Sequence, residues 1–215
     1  MPDRYRLIIG NKNYSSWSMR AWVMMTHAGI GFDETVIPLY RDDTAARLAS
    51  FAPAPPMVPI LSHGDILVWD SLAIAEYLNE RHPEAGLLPD EAAARARARS
   101  IAAEMHSGFA DLRREAPMNI RGRRPRDLSP GARRDISRIE SIFADCLAAS
   151  GGPFLFGAFG MADAFYAPVL MRFRTLDHRL DGALADYMKA VLDTPAINQW
   201  CAAAEVEQWV IAESE

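Results

Sequence analysis

The 215-residue chain reads as an α/β domain followed by an all-helical one. Three observations predict this. Short apolar and alternating runs suited to strands occur up to residue 69. From about residue 90 onward, apolar residues instead recur every three to four positions. Between the two patterns lies a linker rich in breakers, Pro83-Glu84-Ala85-Gly86-Leu87-Leu88-Pro89. The expected domains are residues 1–82 and residues 90–215.

Residues 4–9 end in Leu7-Ile8-Ile9, a run suited to a strand covered on both faces. A polar loop, Gly10-Asn11-Lys12-Asn13, leads to a hydroxyl-rich stretch able to cap a helix. From Ser18, Ala21, Met24, Met25 and Ala28 share one helical face, and Gly29 and Gly31 end it. Phe32, Glu34 and Val36 alternate with their neighbours as a second strand, completing a βαβ unit. After the loop Pro53-Ala54-Pro55-Pro56, residues 58–61 and 66–69 read as a hairpin around Ser62-His63-Gly64-Asp65. A helix then starts at Asp70-Ser71 and carries Leu72, Ala75 and Leu78 on one side. The order βαβ-ββα fits a four-stranded mixed sheet.

In the second half, Ala94, Ala98, Ile101, Met105, Phe109 and Leu112 trace one long helix closed by Pro117. Ser129-Pro130 is an N-cap with proline at the first helical position, followed by Ile136, Ile139, Phe143 and Leu147. Residues 163–173, 184–192 and 197–204 supply three more helices.

Composition excludes several classes. Half the residues are apolar and 24% are charged, as in an ordinary globular protein. A net charge of −5 gives no global attraction to nucleic acid or an anionic membrane. No run approaches a membrane span, and residues 1–6 lack the apolar core of a signal peptide, so a cytoplasmic location is expected. Cys146 and Cys201 have no metal-type spacing and read as free thiols, and the five histidines include no H-x-x-x-H pair. No metal is expected.

Three stretches carry chemistry. In Met57-Val58-Pro59-Ile60, a trans proline would simply open a strand. A cis Val58–Pro59 bond would turn the Val58 N–H and C=O outward to pair with an extended ligand. In Trp69-Asp70-Ser71, either residue can serve only as an N-cap. The same pair also suits an amino acid: the helix N-terminus and Ser71 hydroxyl for its carboxylate, Asp70 for its ammonium. In the stretch from Asn13 to Arg20, one of Ser15, Ser16 and Ser18 must cap the helix. Another hydroxyl there can donate to a ligand thiolate, and the helix dipole assists in lowering a thiol pKa. Tyr14 either packs or donates.

Together, Tyr14-Ser15-Ser16-Trp17-Ser18-Met19-Arg20, then Val58-Pro59-Ile60-Leu61, then Trp69 to Leu78 resemble the glutathione S-transferase family in order and spacing. Gly157-Ala158-Phe159-Gly160-Met161-Ala162-Asp163-Ala164 is similar to the family's folding motif, so the resemblance covers nearly the whole chain. It implies a thioredoxin-like first domain, an all-helical second domain and a homodimer with glutathione in each subunit. It implies a cis Val58–Pro59 bond whose backbone pairs with the cysteinyl part, and Asp70 and Ser71 on the γ-glutamyl end. The Tyr14–Arg20 stretch looks most like the serine-type branch, particularly the zeta class, which puts Ser15 in the catalytic place and Ser16 beside it. The implied activity is attack of the glutathione thiolate on a small electrophile. A catalytically silent binding module and a glutathione-dependent isomerase or dehalogenase are the alternatives.

Three departures from the family pattern bear on this. Trp17 replaces a cysteine of the zeta run. Pro55-Pro56-Met57 replaces a glycine-lysine step, removing a cation for the glycyl carboxylate that Lys12 or Arg47 would have to replace. Gly160 stands where a Ser or Thr N-cap is usual, at a cost of a few tenths of a kcal/mol. Asp163 reads as structural. Met105, His106 and Phe109, with Arg113, are the candidates for the acceptor pocket. The run Arg121-Gly122-Arg123-Arg124-Pro125-Arg126 reads as a solvated loop.

Overall fold

Leu7, Ile8 and Ile9 are all fully buried because the strand that carries them is covered on both faces. The computed structural model describes residues 4–51 and 57–215, so Pro53-Ala54-Pro55-Pro56 lies outside the described residues. Strand β1 (Tyr5–Ile9) is followed by helix α1 (Ser16–His27), strand β2 (Phe32–Val36) and helix α2 (Thr44–Ala49). Strands β3 (Ile60–His63) and β4 (Ile66–Trp69) then lead into helix α3 (Ser71–Arg81). The sheet order is β2-β1-β3-β4. Strand β1 runs parallel to β2 and antiparallel to β3, with Ile8 opposite both Thr35 and Ile60. This is the four-stranded mixed sheet that the sequence pattern predicts, in the thioredoxin-like form that the family resemblance implies.

The two faces of the sheet have different cover. Leu7 and Ile9 join a large core with Met19, Val23, Ile74 and Leu78. Ile8 and Ile60 point to the other face and meet Ile37 and Leu48. Leu48 belongs to α2, a six-residue helix that the sequence does not announce because Leu48 is its single buried side chain. Burying a leucine of this kind contributes about 1.5–3 kcal/mol, enough to pin a short helix over an otherwise wet face.

The second half is all-helical: α4 (Ala92–Ser107), α5 (Ala110–Glu115), α6 (Pro130–Ser150), α7 (Met161–Leu176), α8 (Gly182–Leu192) and α9 (Pro195–Glu205). Ser129 caps α6 as expected, accepting from the Ala132 N–H at 3.2 Å. Helix α7 is buried along almost its whole length and packs against α1 and α4, while α1 also meets α9 and α3. One core therefore runs through both halves.

The long helix expected from Ala94 to Leu112 is in fact two. Phe109 adopts a left-handed backbone with φ 59°, which stops α4 at Ser107 and restarts the chain as α5. The Arg113 guanidinium donates to the carbonyls of Met105, His106 and Gly108, replacing the intrahelical partners lost at the break. The arginine run at 121–126 also differs from the expected solvated loop. Arg121 donates to the Glu207 carbonyl and, at 3.2 Å, to the Trp209 carbonyl. Arg124 pairs with Glu215 at 3.0 Å. These contacts strap residues 206–215 across the β1–α1 connection.

Gly160 has a reason beyond capping. A Cβ at this position would stand 2.8 Å from the Leu87 carbonyl oxygen, which itself accepts from the Met161 N–H at 2.7 Å. Gly160→Ser, which local capping rules would favour, is therefore expected to destabilise the protein by about 1–3 kcal/mol. Thermal melting of the variant checks this; a raised melting temperature would contradict the close approach.

Candidate functional site

The β1–α1 connection delivers three hydroxyls to the N-terminus of α1, each in a different bonding state. Ser15 is the N-cap: its Oγ accepts from the Ser18 N–H at 3.3 Å and donates to Ser18 Oγ at 2.8 Å. Ser18 Oγ in turn accepts from the Gly10 N–H at 3.0 Å, clasping the helix to the end of β1. Ser16 instead accepts from an Arg172 Nη at 3.2 Å, reached across from α7. Ser15 and Ser16 are both buried and both line a cleft of about 610 Å³ between the two halves.

Tyr14, Trp17, Val58, Arg113, Arg172 and Ile211 also line this cleft. The Val58–Pro59 peptide bond is cis. The β1–β3 ladder begins at Ile60, so Val58 stands outside it on the cleft wall. Arg41, beside the left-handed and exposed Tyr40, is a further cation on this wall that the sequence reading missed. The two cations considered there lie elsewhere. Lys12 is paired with Glu34 at 2.8 Å and covered by the Trp22 and Trp200 rings. Arg47 lies beside Asp43 at 3.7 Å on α2.

Asp70 has φ 75° and ψ 134°, outside the left-handed helical region, a backbone conformation that costs a side-chain-bearing residue about 1–3 kcal/mol. It caps α3 by accepting from the Leu72 N–H at 2.8 Å through Oδ1, while Oδ2 lies 3.3 Å from His106 Nε2. The His106 ring meets the Trp17 ring edge-on at 5.2 Å between centroids, which links Asp70 to the N-terminus of α1. Around this point several buried polar atoms have no partner among the described residues: Ser71 Oγ, His106 Nδ1, and Nε and Nη1 of Arg20. Buried polar groups are normally satisfied, so this cluster leaves unfilled hydrogen-bonding capacity beside Asp70. His106 thus faces Asp70, whereas Met105 and Phe109 are packed in the core, off the cleft wall.

The site is electropositive. Arg20 and Arg113 both lie over the Trp17 ring, at 4.4 and 4.8 Å from its centroid. Burial, reinforced by the charges of Arg113 and Arg172, pulls Arg20 down to about 9. Burial and the Arg113 charge pull Arg172 to about 9 as well. Both stay cationic near neutral pH. Asp70 acts on Arg20 and Asp135 on Arg113, but no carboxylate among the described residues offsets Arg172. His106 is drawn below the usual histidine value by burial, which outweighs the opposing pull of Asp70. Sequence reasoning passed over Arg172, although an arginine between Met171 and Phe173 in a largely apolar stretch was a signal in plain view.

No described helix is long and apolar enough to cross a membrane. Among the described residues no group of three His, Cys, Asp or Glu side chains is placed to hold a metal ion. Cys146 and Cys201 are both free.

Comparison with known proteins agrees with the geometry. The family described as Glutathione S-transferase, N-terminal domain, matches residues 14–81, and Glutathione S-transferase, C-terminal domain, matches residues 90–203. Glutathione S-transferase 1 of Dianthus caryophyllus is 30% identical over 162 residues, 73% of this chain and 72% of that protein. Maleylacetoacetate isomerase of Rattus norvegicus is 30% identical over 157 residues, 72% of each chain. A probable maleylacetoacetate isomerase of Caenorhabditis elegans is 31% identical over 98 residues, 46% of this chain and 45% of that protein, so the match spans less than half its length. Among solved structures, a Burkholderia glutathione transferase homologue with bound glutathione superposes with a TM-score of 0.71 at 23% identity. That superposition covers 95% of this chain and 100% of the other. The chain belongs to the glutathione S-transferase family.

Proposed function

We propose that this protein is a glutathione transferase that binds glutathione along the line Asp70–Ser71, Val58 and the α1 N-terminus. The observation that carries the reading is the set of unpartnered buried groups around Asp70, joined through His106 and Trp17 to the hydroxyls of α1. Asp70 receives the γ-glutamyl ammonium, and the Ser71 hydroxyl with the α3 N-terminus receives the carboxylate beside it. Val58 and Pro59 hold the cysteinyl backbone as a short added strand. Arg41 takes the glycyl carboxylate, in place of the lysine usual in the family. The cysteinyl sulfur then lies at the N-terminus of α1, where Ser15 and Ser16 are the two hydroxyls available to it.

Bound there, the thiol loses its proton to solvent and the thiolate attacks an electrophilic carbon of the acceptor, whose leaving group departs with its electron pair. The residues 1–82 supply glutathione binding and residues 90–215 the other wall of the cleft. His106 belongs to the glutamyl end rather than the acceptor side. A homodimer fits the exposed apolar side chains Met57, Ile66 and Trp69, the last two on β4, an edge of the sheet. Sedimentation of the purified chain measures this.

A second reading, a glutathione-dependent isomerase, is favoured by the cationic wall made by Arg113 and Arg172, which suits an anionic acceptor. Titration calorimetry with glutathione tests the common basis of both. Saturable binding is expected, and no heat at millimolar ligand would instead support a silent module. Comparing turnover of a neutral and a carboxylate-bearing electrophile then separates the two readings.

A further inference from the structure

We propose that His106 and the glutamyl ammonium of glutathione compete for one oxygen of Asp70, so that glutathione binding expels a proton from His106 and tightens as pH rises. This rests on the glutathione-transferase reading and deepens it, by giving the glutamyl site a resident competitor.

Both oxygens of Asp70 are in use. Oδ1 accepts from the Leu72 N–H at 2.8 Å and caps α3. Oδ2 lies 3.3 Å from His106 Nε2, which reaches it from α4 in the other half of the chain. A ligand ammonium that leaves the cap intact must therefore take Oδ2. The Asp70 side chain is 42% exposed, so a ligand can reach it. Each member of the pair is held in place. The backbone of Asp70, at φ 75° and ψ 134°, sets its carboxylate at the entry to α3. The His106 ring lies edge-on to Trp17, and the His106 carbonyl accepts from Arg113 Nη2 at 3.2 Å. The imidazole thus stands where the ligand's cation would stand.

The charges around the ring make its proton easy to remove. Burial opposes the imidazolium most, and Arg20 from α1 and Arg113 from α5 add to that opposition. Asp70, at the start of α3, is the carboxylate that favours it. An ammonium placed on Oδ2 cancels this favourable interaction and adds a positive charge to those of Arg20 and Arg113. Two cations cannot share the oxygen at full strength, so the ligand binds with release of the imidazole proton to solvent. The free protein then holds that proton more tightly than the complex does, and affinity falls as pH drops through the titration of His106. His106 acts through Asp70 and is a positioning residue.

The test is titration calorimetry of the full chain with S-methylglutathione, whose blocked sulfur cannot ionise. It is run at about pH 5 and about pH 7.5, in buffers of different ionisation heat. Wild type is expected to bind about 3- to 10-fold more weakly at the lower pH, where binding releases a measurable fraction of a proton. In His106→Gln, which keeps a polar side chain but cannot titrate there, the ratio of the two affinities should approach one and the release should vanish. The ring signal of His106 in proton NMR of the wild type gives a second reading that needs no variant. Its pKa should fall by about half to one unit on saturation with S-methylglutathione. Equal wild-type affinity at both pH values, the wild-type ratio kept in His106→Gln, or an unmoved His106 pKa overturns the inference and leaves the wider reading standing. Wild-type protein that binds S-methylglutathione at neither pH overturns both.

Discussion

Asp70→Asn is expected to weaken glutathione binding by about 10- to 100-fold. The substitution is close to isosteric and keeps an oxygen to accept the Leu72 N–H, so the cap on α3 survives. What disappears is the negative charge facing the γ-glutamyl ammonium. A hydrogen bond to a charged group is worth about 1.5–3 kcal/mol, which converts to the stated range of affinity. The loss extends to Arg20 and His106, for which Asp70 is the favourable carboxylate, so a modest fall in melting temperature accompanies it. Asp70→Ala should bind as poorly and melt lower still, because the cap goes too, at about 1 kcal/mol. Calorimetry and thermal melting of the two variants separate the effects. Unchanged affinity in Asp70→Asn would mean that the glutamyl end binds elsewhere.

Asp163→Ala is expected to cost about 3 kcal/mol of stability, lowering the melting temperature by roughly 6–12 °C for a chain of this size. Asp163 is buried at the start of α7 and accepts from the Leu155 N–H at 3.1 Å and the Gly160 N–H at 3.0 Å. Alanine leaves both donors unpaired, at the entry to the helix at the centre of the shared core. The deficit should also depend on pH. Burial pushes the Asp163 carboxyl up to about 6 from the usual 3.8, against the opposing pull of those two N–H groups. Between these values the folded protein holds a proton that the unfolded chain has released. The stability linked to that proton is fully present below 3.8 and is lost as pH rises through 6. Alanine lacks it, so the difference between wild type and variant should be larger at mildly acidic pH than at neutral pH. Denaturant melts at the two pH values measure this; a smaller deficit in acid would contradict the buried-carboxyl account.

The sequence displays some of this structure openly and conceals the rest for identifiable reasons. The strands, α1, α3 and the helices from α6 onward follow from local pattern, because each buries a continuous apolar face. The break at Phe109 does not. Met105, Phe109 and Leu112 keep helical spacing through it, and the group that makes it tolerable is the Arg113 side chain folding back on three carbonyls. Helix α2 is too short to carry a period. The candidate site divides the same way. Ser15, Ser16, Val58, Pro59, Asp70 and Ser71 are legible because they sit in local motifs of fixed spacing. Arg172 meets Ser16 across 156 positions of sequence, and His106 meets Asp70 from another helix, so neither partnership has a local signature. The arginine run at 121–126 reads as a solvated loop for the same cause: the partners of Arg121 and Arg124, namely Glu207, Trp209 and Glu215, lie far along the chain.

The most direct measurement of the central claim is a thiolate titration of glutathione in the presence of the wild-type chain. The account predicts a thiolate ultraviolet signal that saturates with protein concentration, titrates well below the value of free glutathione, and is displaced by S-methylglutathione. No saturable signal, or a bound thiol that titrates like the free peptide, would contradict it.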